Sequence, residues 1–335
     1  MISGDSEYVY LKNHPQHLEF ARLCVRHESA AYPARLGRSR SQWVRNLASL
    51  LFSLGKPRRK LFLLEGPGAV TAVLLRRARG CRILMIHADP TLWALRDARG
   101  LQRRLTLFLL ARVDGFLSPA RLMEDLARGY FPGKRHALFP MYVDTARWRP
   151  LPPEKRTGDF LYIGRADWYK NQELLLRAFR AVKSRHGLAI RFTLIGNVLP
   201  AYAPVLRPLL DETVTITGWI AQPWENPPAA GYYFNLARLE PSGTNILEAL
   251  ALGLAPIVSD GCGYAADVVA GIDARLVVPL EEERVVAAWE WLHALPEPER
   301  AALREKCLET ARAWNREHAH AGFRAAFAAC AEPGA

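Results

Sequence analysis

The sequence predicts an α/β protein of two domains, each built on a parallel sheet. Three observations carry this. Leu61-Phe-Leu-Leu64 and Ile83-Leu-Met-Ile86 are short apolar runs separated by a helical stretch, Ala69 to Arg79. Apolar strands joined by a helix are the pattern of a βαβ unit covered on both faces. The same alternation resumes after residue 160. Between the two stretches lies a Pro-rich, charged seam, Leu151-Pro-Pro-Glu-Lys-Arg-Thr-Gly158, and the 335 residues suffice for two domains of about 100–200 residues each.

In chain order, Tyr8 to Leu11 reads as a first strand and His17 to His27 as a helix. Gly37 to Lys60 is a basic amphipathic stretch. Trp43, Val44, Leu47, Leu50, Leu51 and Leu54 line one side, flanked by Arg38, Arg40 and Arg45 and followed by Lys56, Arg58, Arg59 and Lys60. The βαβ unit comes next, then two more strands at Val113 to Leu117 and Ala137 to Pro140. Beyond the seam, Phe160 to Ile163 is a strand. Leu174, Leu175, Ala178 and Phe179 then recur at helical spacing. Ile246 to Leu254 is a buried helix ended by Gly253-Leu-Ala-Pro256, and Ile257 starts the next strand. Helices follow over Glu281 to Leu295 and from Pro298 onward.

Charge is unevenly spread. Residues 1–150 hold 26 Lys and Arg against 11 Asp and Glu, while 151–335 hold 19 against 22. A basic half joined to a near-neutral half points to an anionic partner for the first: anionic lipid, a phosphorylated acceptor or nucleic acid. Nucleic acid is disfavoured, because the cations lack interleaved aromatics and no binding motif accompanies them. No apolar run approaches the ~18 residues of a spanning helix. The first residues, Met-Ile-Ser-Gly-Asp-Ser-Glu, do not read as a secretory signal. Five scattered cysteines without C-x-x-C spacing suit small buried side chains in a reducing compartment better than disulfides or zinc. The expected location is cytoplasmic, with a peripheral position on the inner membrane face left open.

Two stretches carry the chemistry. In Glu240-Pro-Ser-Gly-Thr-Asn-Ile-Leu-Glu248, two carboxylates flank a small-residue turn that opens a helix. Such a turn points backbone N–H groups at an anion. Glu248, in the first turns, can accept two hydroxyl hydrogen bonds, as a ribose diol offers. Glu240, read at the end of the preceding strand, faces the same place. Alone, the pair is equally two unrelated glutamates around a capped helix. In Phe160-Leu-Tyr-Ile-Gly-Arg165-Ala-Asp-Trp-Tyr-Lys170, two cations follow a strand at its carboxyl end, where open α/β sheets bind ligands. Arg165 offers a fixed fork for a diphosphate and Lys170 a point charge. Either is equally a solvated loop charge.

Together these residues resemble the donor-binding half of the family-four, or group 1, glycosyltransferases. Gly-Arg, a Lys five residues after the Arg, and Glu-x7-Glu followed by Ala-Leu-Ala-Leu-Gly stand in that family's order. Phe192 to Gly196 and Val214 to Gly218 resemble its intervening strands and turns, and Val258-Ser-Asp260 through Val269 resembles the segment after its donor helix. One departure is Pro241-Ser242-Gly243, where the family usually has Gly-Phe-Gly. The resemblance implies the GT-B fold, with two Rossmann-like parallel-sheet domains facing a central cleft. The N-terminal acceptor domain would be 1–150, the donor domain 151–311, with a last helix over about 312–335 crossing back. It implies a retaining hexosyl transfer from a nucleotide-diphosphate-sugar to a glycan, glycolipid or lipid-linked acceptor. Neither cofactor nor metal is expected, and the chain has no Asp-x-Asp pair. By the same resemblance Gly164, Arg165, Lys170, Gly243, Thr244, Asn245 and Glu248 would bind the donor. His87, Arg165, Lys170 and Glu240 would serve the reaction, with His87 meeting the donor sugar across the cleft. His87 is also readable as a strand-end cap. The N-terminal half has no Gly-Gly loop after its first strand, so it resembles the family less. Two other readings stay open. One is a different GT-B sugar-nucleotide enzyme such as an epimerase or phosphorylase. The other is a catalytically silent sugar-nucleotide or membrane-binding module.

Overall fold

A computed structural model describes residues 7–8, 15–24, 26–27, 59–74 and 77–332. Most of the basic amphipathic stretch, Gly37 to Lys60, lies outside the described residues, as do Leu75 and Arg76 of the expected helix Ala69 to Arg79 and residues 9–11 of the first expected strand. The chain divides into two units, one of residues 1–140 with 319–335 and one of residues 141–318.

The first unit carries a four-stranded parallel sheet. Its strands are β3 (Arg59–Glu65), β4 (Arg77–Ile86), β5 (Gly115–Ser118) and β6 (Arg135–Leu138), side by side in that order. A two-stranded parallel pair, β1 (Glu7–Tyr8) and β2 (Arg26–His27), accompanies it. Helices α1 (Pro15–Cys24), α2 (Pro67–Leu74), α3 (Gly100–Leu110) and α4 (Arg121–Tyr130) also belong to this unit. Phe62, Leu64, Val70, Ile83, Met85, Leu110 and Phe116 form its core. The expected βαβ unit is present with a correction: the helix stops at Leu74 and Arg77 to Arg79 already begin β4. That end of β4 pairs only with β3, so its charged residues stay in water and mimic the polar face of a helix. The expected helix His17 to His27 likewise ends at Cys24.

The second unit carries a six-stranded, all-parallel sheet in the order β12-β11-β10-β7-β8-β9. The strands are β7 (Phe160–Ile163), β8 (Phe192–Ile195), β9 (Val214–Ile216), β10 (Tyr232–Asn235), β11 (Pro256–Ser259) and β12 (Val277–Val278). Its longer helices are α5 (Gln172–His186), α6 (Thr244–Ala251), α7 (Glu282–Ala294) and α8 (Glu297–Ala313). β7, β8 and β9 progress one way along the sheet, and β10, β11 and β12 the other. The order therefore reverses between β7 and β10, the topological switch point at which open α/β sheets bind ligands. Beneath it Phe160 stacks on Phe234 at 4.5 Å and meets Phe179 edge-on at 5.2 Å, with Trp289 fully buried alongside. The seam residues belong with this unit, because Val143 N–H donates to Trp314 O and Leu151 N–H to Leu252 O.

A last helix, α9 (Arg316–Ala331), belongs to the first unit from residue 319 onward. Phe323 is fully buried, stacked on Phe20 at 5.1 Å and edge-on to Phe139. Cys330 packs against Gly115, where an added Cβ would stand 3.1 Å from the cysteine's own.

Candidate active site

β7 ends at Ile163, and its chain leaves the sheet beside that of β8. Gly164 N–H donates to Ile195 O at 2.8 Å and Ala166 N–H to Asn197 O at 2.9 Å. The two backbones approach so closely that a Cβ on Gly196, at φ +150°, would lie 2.0 Å from Gly164 O. Only glycine fits there. The loop that follows is built around Asp167, which is 3 % exposed. Its Oδ2 accepts from Arg165 Nε at 2.7 Å and lies 2.6 Å from Nη2, while its Oδ1 accepts the Lys170 N–H at 3.0 Å. Gln172, also buried, clamps the loop from the start of α5. Its Oε1 accepts from Asp167 N–H and its Nε2 donates to Arg165 O. Asn171 turns the chain into α5 in the left-handed region at φ 55°, and its side chain donates to Leu236 O.

The partner strand, β10, supplies the other wall. Glu240 lies five residues beyond its end and not at the strand terminus as expected. Residues 236–240 form a loop held by Arg238 N–H to Tyr169 O and by a bridge of Glu240 to Gly261 and Gly263. The buried Glu240 carboxylate pairs with the Lys170 ammonium. Gly243, at φ +74°, then turns the chain into α6. The first amides of any helix have no intrahelical acceptor, so Thr244 and Asn245 present N–H groups at this edge. The Asn245 side chain is already engaged. Its Nδ2 donates to Ile163 O at 2.6 Å and its Oδ1 accepts from Asn235, which locks α6 to the end of β7.

Glu248 lies one turn further along α6. Its carboxylate has no hydrogen bond or ion pair among the described residues, and burial pushes its pKa up to about 8. Close by, the Tyr233 hydroxyl is buried without a hydrogen-bond partner and feels both Glu248 and Glu240.

In the first unit, His87 follows the end of β4 and is fully buried. Its N–H donates to Leu117 O, and its Nδ1 stands 3.0 Å from Met123 O, which fixes that nitrogen as the protonated one. Nε2 is thereby an acceptor, and it is buried with no partner among the described residues. Burial lowers the pKa to about 4, against the raising influence of Asp89 and the Met123 carbonyl. The imidazole is therefore neutral at pH 7.

Gly164, Arg165, Lys170, Glu240, Gly243, Thr244 and Asn245 thus meet at the carboxyl ends of β7 and β10, with Glu248 one turn behind. Two features differ from free cations waiting for an anion. Arg165 is held by Asp167, and Lys170 by Glu240. Asp167, Gln172 and Asn235 were not anticipated as parts of the site. The one signal for Asp167 is its position two residues after Arg165, close enough to chelate a guanidinium within a tight loop. Among the described residues no group of three His, Cys, Asp or Glu side chains could hold a metal ion. No described helix is long and apolar enough to cross a membrane.

The fold and this edge define a GT-B glycosyltransferase. The family model for glycosyl transferases group 1 matches residues 144–314, and the chain belongs to that family. No curated protein sequence matches it. Among solved structures, a sucrose-phosphate synthase from Thermosynechococcus elongatus is similar with TM-score 0.75 at 16 % identity, covering 94 % of this chain and 96 % of that one. A trehalose-6-phosphate structure from E. coli bound with UDP-2-fluoro glucose gives 0.72 at 13 %, covering 98 % and 100 %. Anabaena HepE in complex with UDP and glucose gives 0.71 at 12 %, covering 96 % and 98 %. At these identities the likeness is one of fold.

Proposed function

We propose that this glycosyltransferase moves a hexosyl group from a nucleotide-diphosphate-sugar to a glycan, glycolipid or lipid-linked acceptor, with retention of anomeric configuration and without a metal ion. The observation that carries the reading is the cluster at the switch point: two basic side chains, the first amides of α6 and a carboxylate one turn behind them. In this reading Arg165, Lys170 and the amides near Gly243 and Thr244 stabilise the departing diphosphate. They are preorganised donors aimed where charge develops, each able to lower a barrier by about 3 kcal/mol. Asp167 and Glu240 hold the two cations in place before the donor arrives, and Glu240 also meets the sugar hydroxyls. Glu248 takes the ribose hydroxyls. His87 accepts a hydrogen bond from the donor sugar at Nε2. The UDP ligands named for two of the similar structures support a nucleotide donor without fixing its base.

A lipid-borne acceptor is favoured by α3. Leu101, Leu105 and Phe108 recur at i, i+4 and i+7 and are 77 %, 38 % and 52 % exposed. Arg103 and Arg104 lie on the same helix, and the Arg112 guanidinium covers the Phe108 ring at 3.4 Å. An apolar stripe flanked by cations suits an anionic membrane surface. A location at the cytoplasmic membrane face fits this reading.

The deciding experiment is calorimetry of UDP, GDP and ADP with EDTA present, in the wild type and in Arg165→Ala and Glu248→Ala. One nucleotide should bind, and both variants should weaken it at least tenfold. Unchanged binding in both would refute the site. No binding by any nucleotide would favour a silent module. NMR of the product anomer tests retention. Sedimentation with phosphatidylserine vesicles at low salt, lost in Leu101→Ser/Phe108→Ser, tests the lipid surface.

A further inference from the structure

The second unit has a cavity at the opposite edge of its sheet from the site above. Arg156 and Thr157 precede β7, Gly231 precedes β10, and Leu252 to Ala255 lead into β11. The strands are parallel, so these residues mark their amino ends. Four residues of strand, about 13 Å, separate this edge from the carboxyl ends. The cavity is about 270 Å³, the room of a small metabolite.

Its walls are cationic. Arg156, Arg300 and Arg304 face it with a single carboxylate, Glu297. Glu297 stands 3.8 Å from Arg300 Nε and 3.7 Å from Arg304 Nη2, too far to hydrogen-bond either. Each arginine is held by its stem or one edge, which leaves its other donors to solvent or a ligand. Arg156 Nε donates to Leu151 O at 2.8 Å, and no bond engages its terminal nitrogens among the described residues. Arg300 Nη2 donates to His293 O and Leu295 O at the end of α7, yet its Nε is buried without an acceptor. Arg304 makes no hydrogen bond among the described residues. Its stem packs over Gly253, where a Cβ would meet Arg304 Cγ at 3.1 Å. Three guanidinium groups are thus fixed around a space with excess positive charge and a buried N–H that lacks a partner. Leaving such a donor unmet is costly, and guanidinium forks match oxyanions. A carboxylate offers two oxygens to three forks, whereas a phosphate monoester offers three terminal oxygens.

We propose that this cavity binds the phosphate group of a small metabolite, at a site separate from the donor site. The test is thermal unfolding of the full chain with inorganic phosphate and with glycerol 3-phosphate, against sodium chloride of equal ionic strength. Wild type, Arg165→Gln, Arg304→Gln and Arg156→Gln are compared, and phosphorus NMR line broadening gives a readout of binding independent of each variant's stability. For a millimolar Kd, about 20 mM glycerol 3-phosphate should raise the Tm of the second unit, residues 141–318, by about 4–7 °C. Protection should persist in Arg165→Gln and fall by more than half in both Arg304→Gln and Arg156→Gln, with the ester effective at lower concentration than free phosphate. Protection lost in Arg165→Gln but kept in the other two would assign it to the donor site and overturn the proposal. So would the absence of phosphate-specific protection and broadening, or binding of free phosphate with the ester excluded.

Discussion

Lys170 and Glu240 show how one residue serves two needs. Their side chains are 16 % and 11 % exposed, so each charge depends on the other. Removing one partner of a buried pair costs about 3–5 kcal/mol, because the remaining charge is stranded. Lys170→Ala should lose that much in urea unfolding, and Lys170→Ala/Glu240→Gln should recover part of it. Two titrating residues give opposite slopes with pH. Glu248 has a folded pKa of about 8 against an ordinary 4.5, so the folded chain holds a proton that the unfolded chain releases. Its contribution therefore favours folding below pH 4.5 and declines as pH rises to 8, by on the order of 3–5 kcal/mol. Glu248→Gln should flatten that decline. A nucleotide whose hydroxyls bond the carboxylate should also expel a proton near pH 7, visible as binding heat that varies with the ionisation enthalpy of the buffer. His87 is the converse. With a folded pKa of about 4 against 6.5, it lets the unfolded chain take up the proton, so stability is full above pH 6.5 and falls by about 3 kcal/mol on acidification to 4. His87→Gln should abolish that acid loss in a pH series of melts.

At the scale of elements, glycines divide into those that shape the site and those that merely allow it. A Cβ at position 196 would collide with the backbone carbonyl of Gly164, which cannot swing away. Gly196→Ala should therefore part the ends of β7 and β8, lowering the Tm by more than 10 °C or preventing folding. At Gly243 the nearest obstacle is Ile246 Cδ1 at 2.8 Å, the far end of a flexible side chain. Gly243→Ala should cost mainly the left-handed strain, roughly 1–2 kcal/mol. Such contrasts explain what sequence could and could not disclose. β7 is apolar from end to end, and β3 and β11 carry the apolar runs Leu61 to Leu64 and Ile257-Val258, which made all three legible. The charged start of β4 was not, since a strand half in water loses that signature. Arg165 and Lys170 were legible through their spacing from a strand. Their restraint by Asp167 and Glu240 was not, because it depends on the left-handed turn at Asn171 and on a loop carried by a different strand. The cavity lined by Arg156, Arg300 and Arg304 joins residues nearly 150 positions apart, beyond the reach of any local pattern.

For the whole molecule, the two units differ in how the chain supplies them. The second is one continuous run, 141–318, whereas the first is completed by residues 319–331 of α9. A fragment of residues 141–318 should show a cooperative melt on its own. A fragment of residues 1–140 should not until the α9 peptide is added, because the Phe20 and Phe139 rings then lack the Phe323 ring that packs against both. Calorimetry of the fragments, alone and mixed, checks both. The consequence reaches into synthesis. On a ribosome the half that is translated first cannot be finished first: its sheet must wait, with the aromatic faces meant for Phe323 uncovered, while the later half emerges and settles. Helix α9, made only after 141–318, then closes a sheet made before it, so the interval between them is when this chain most needs a chaperone.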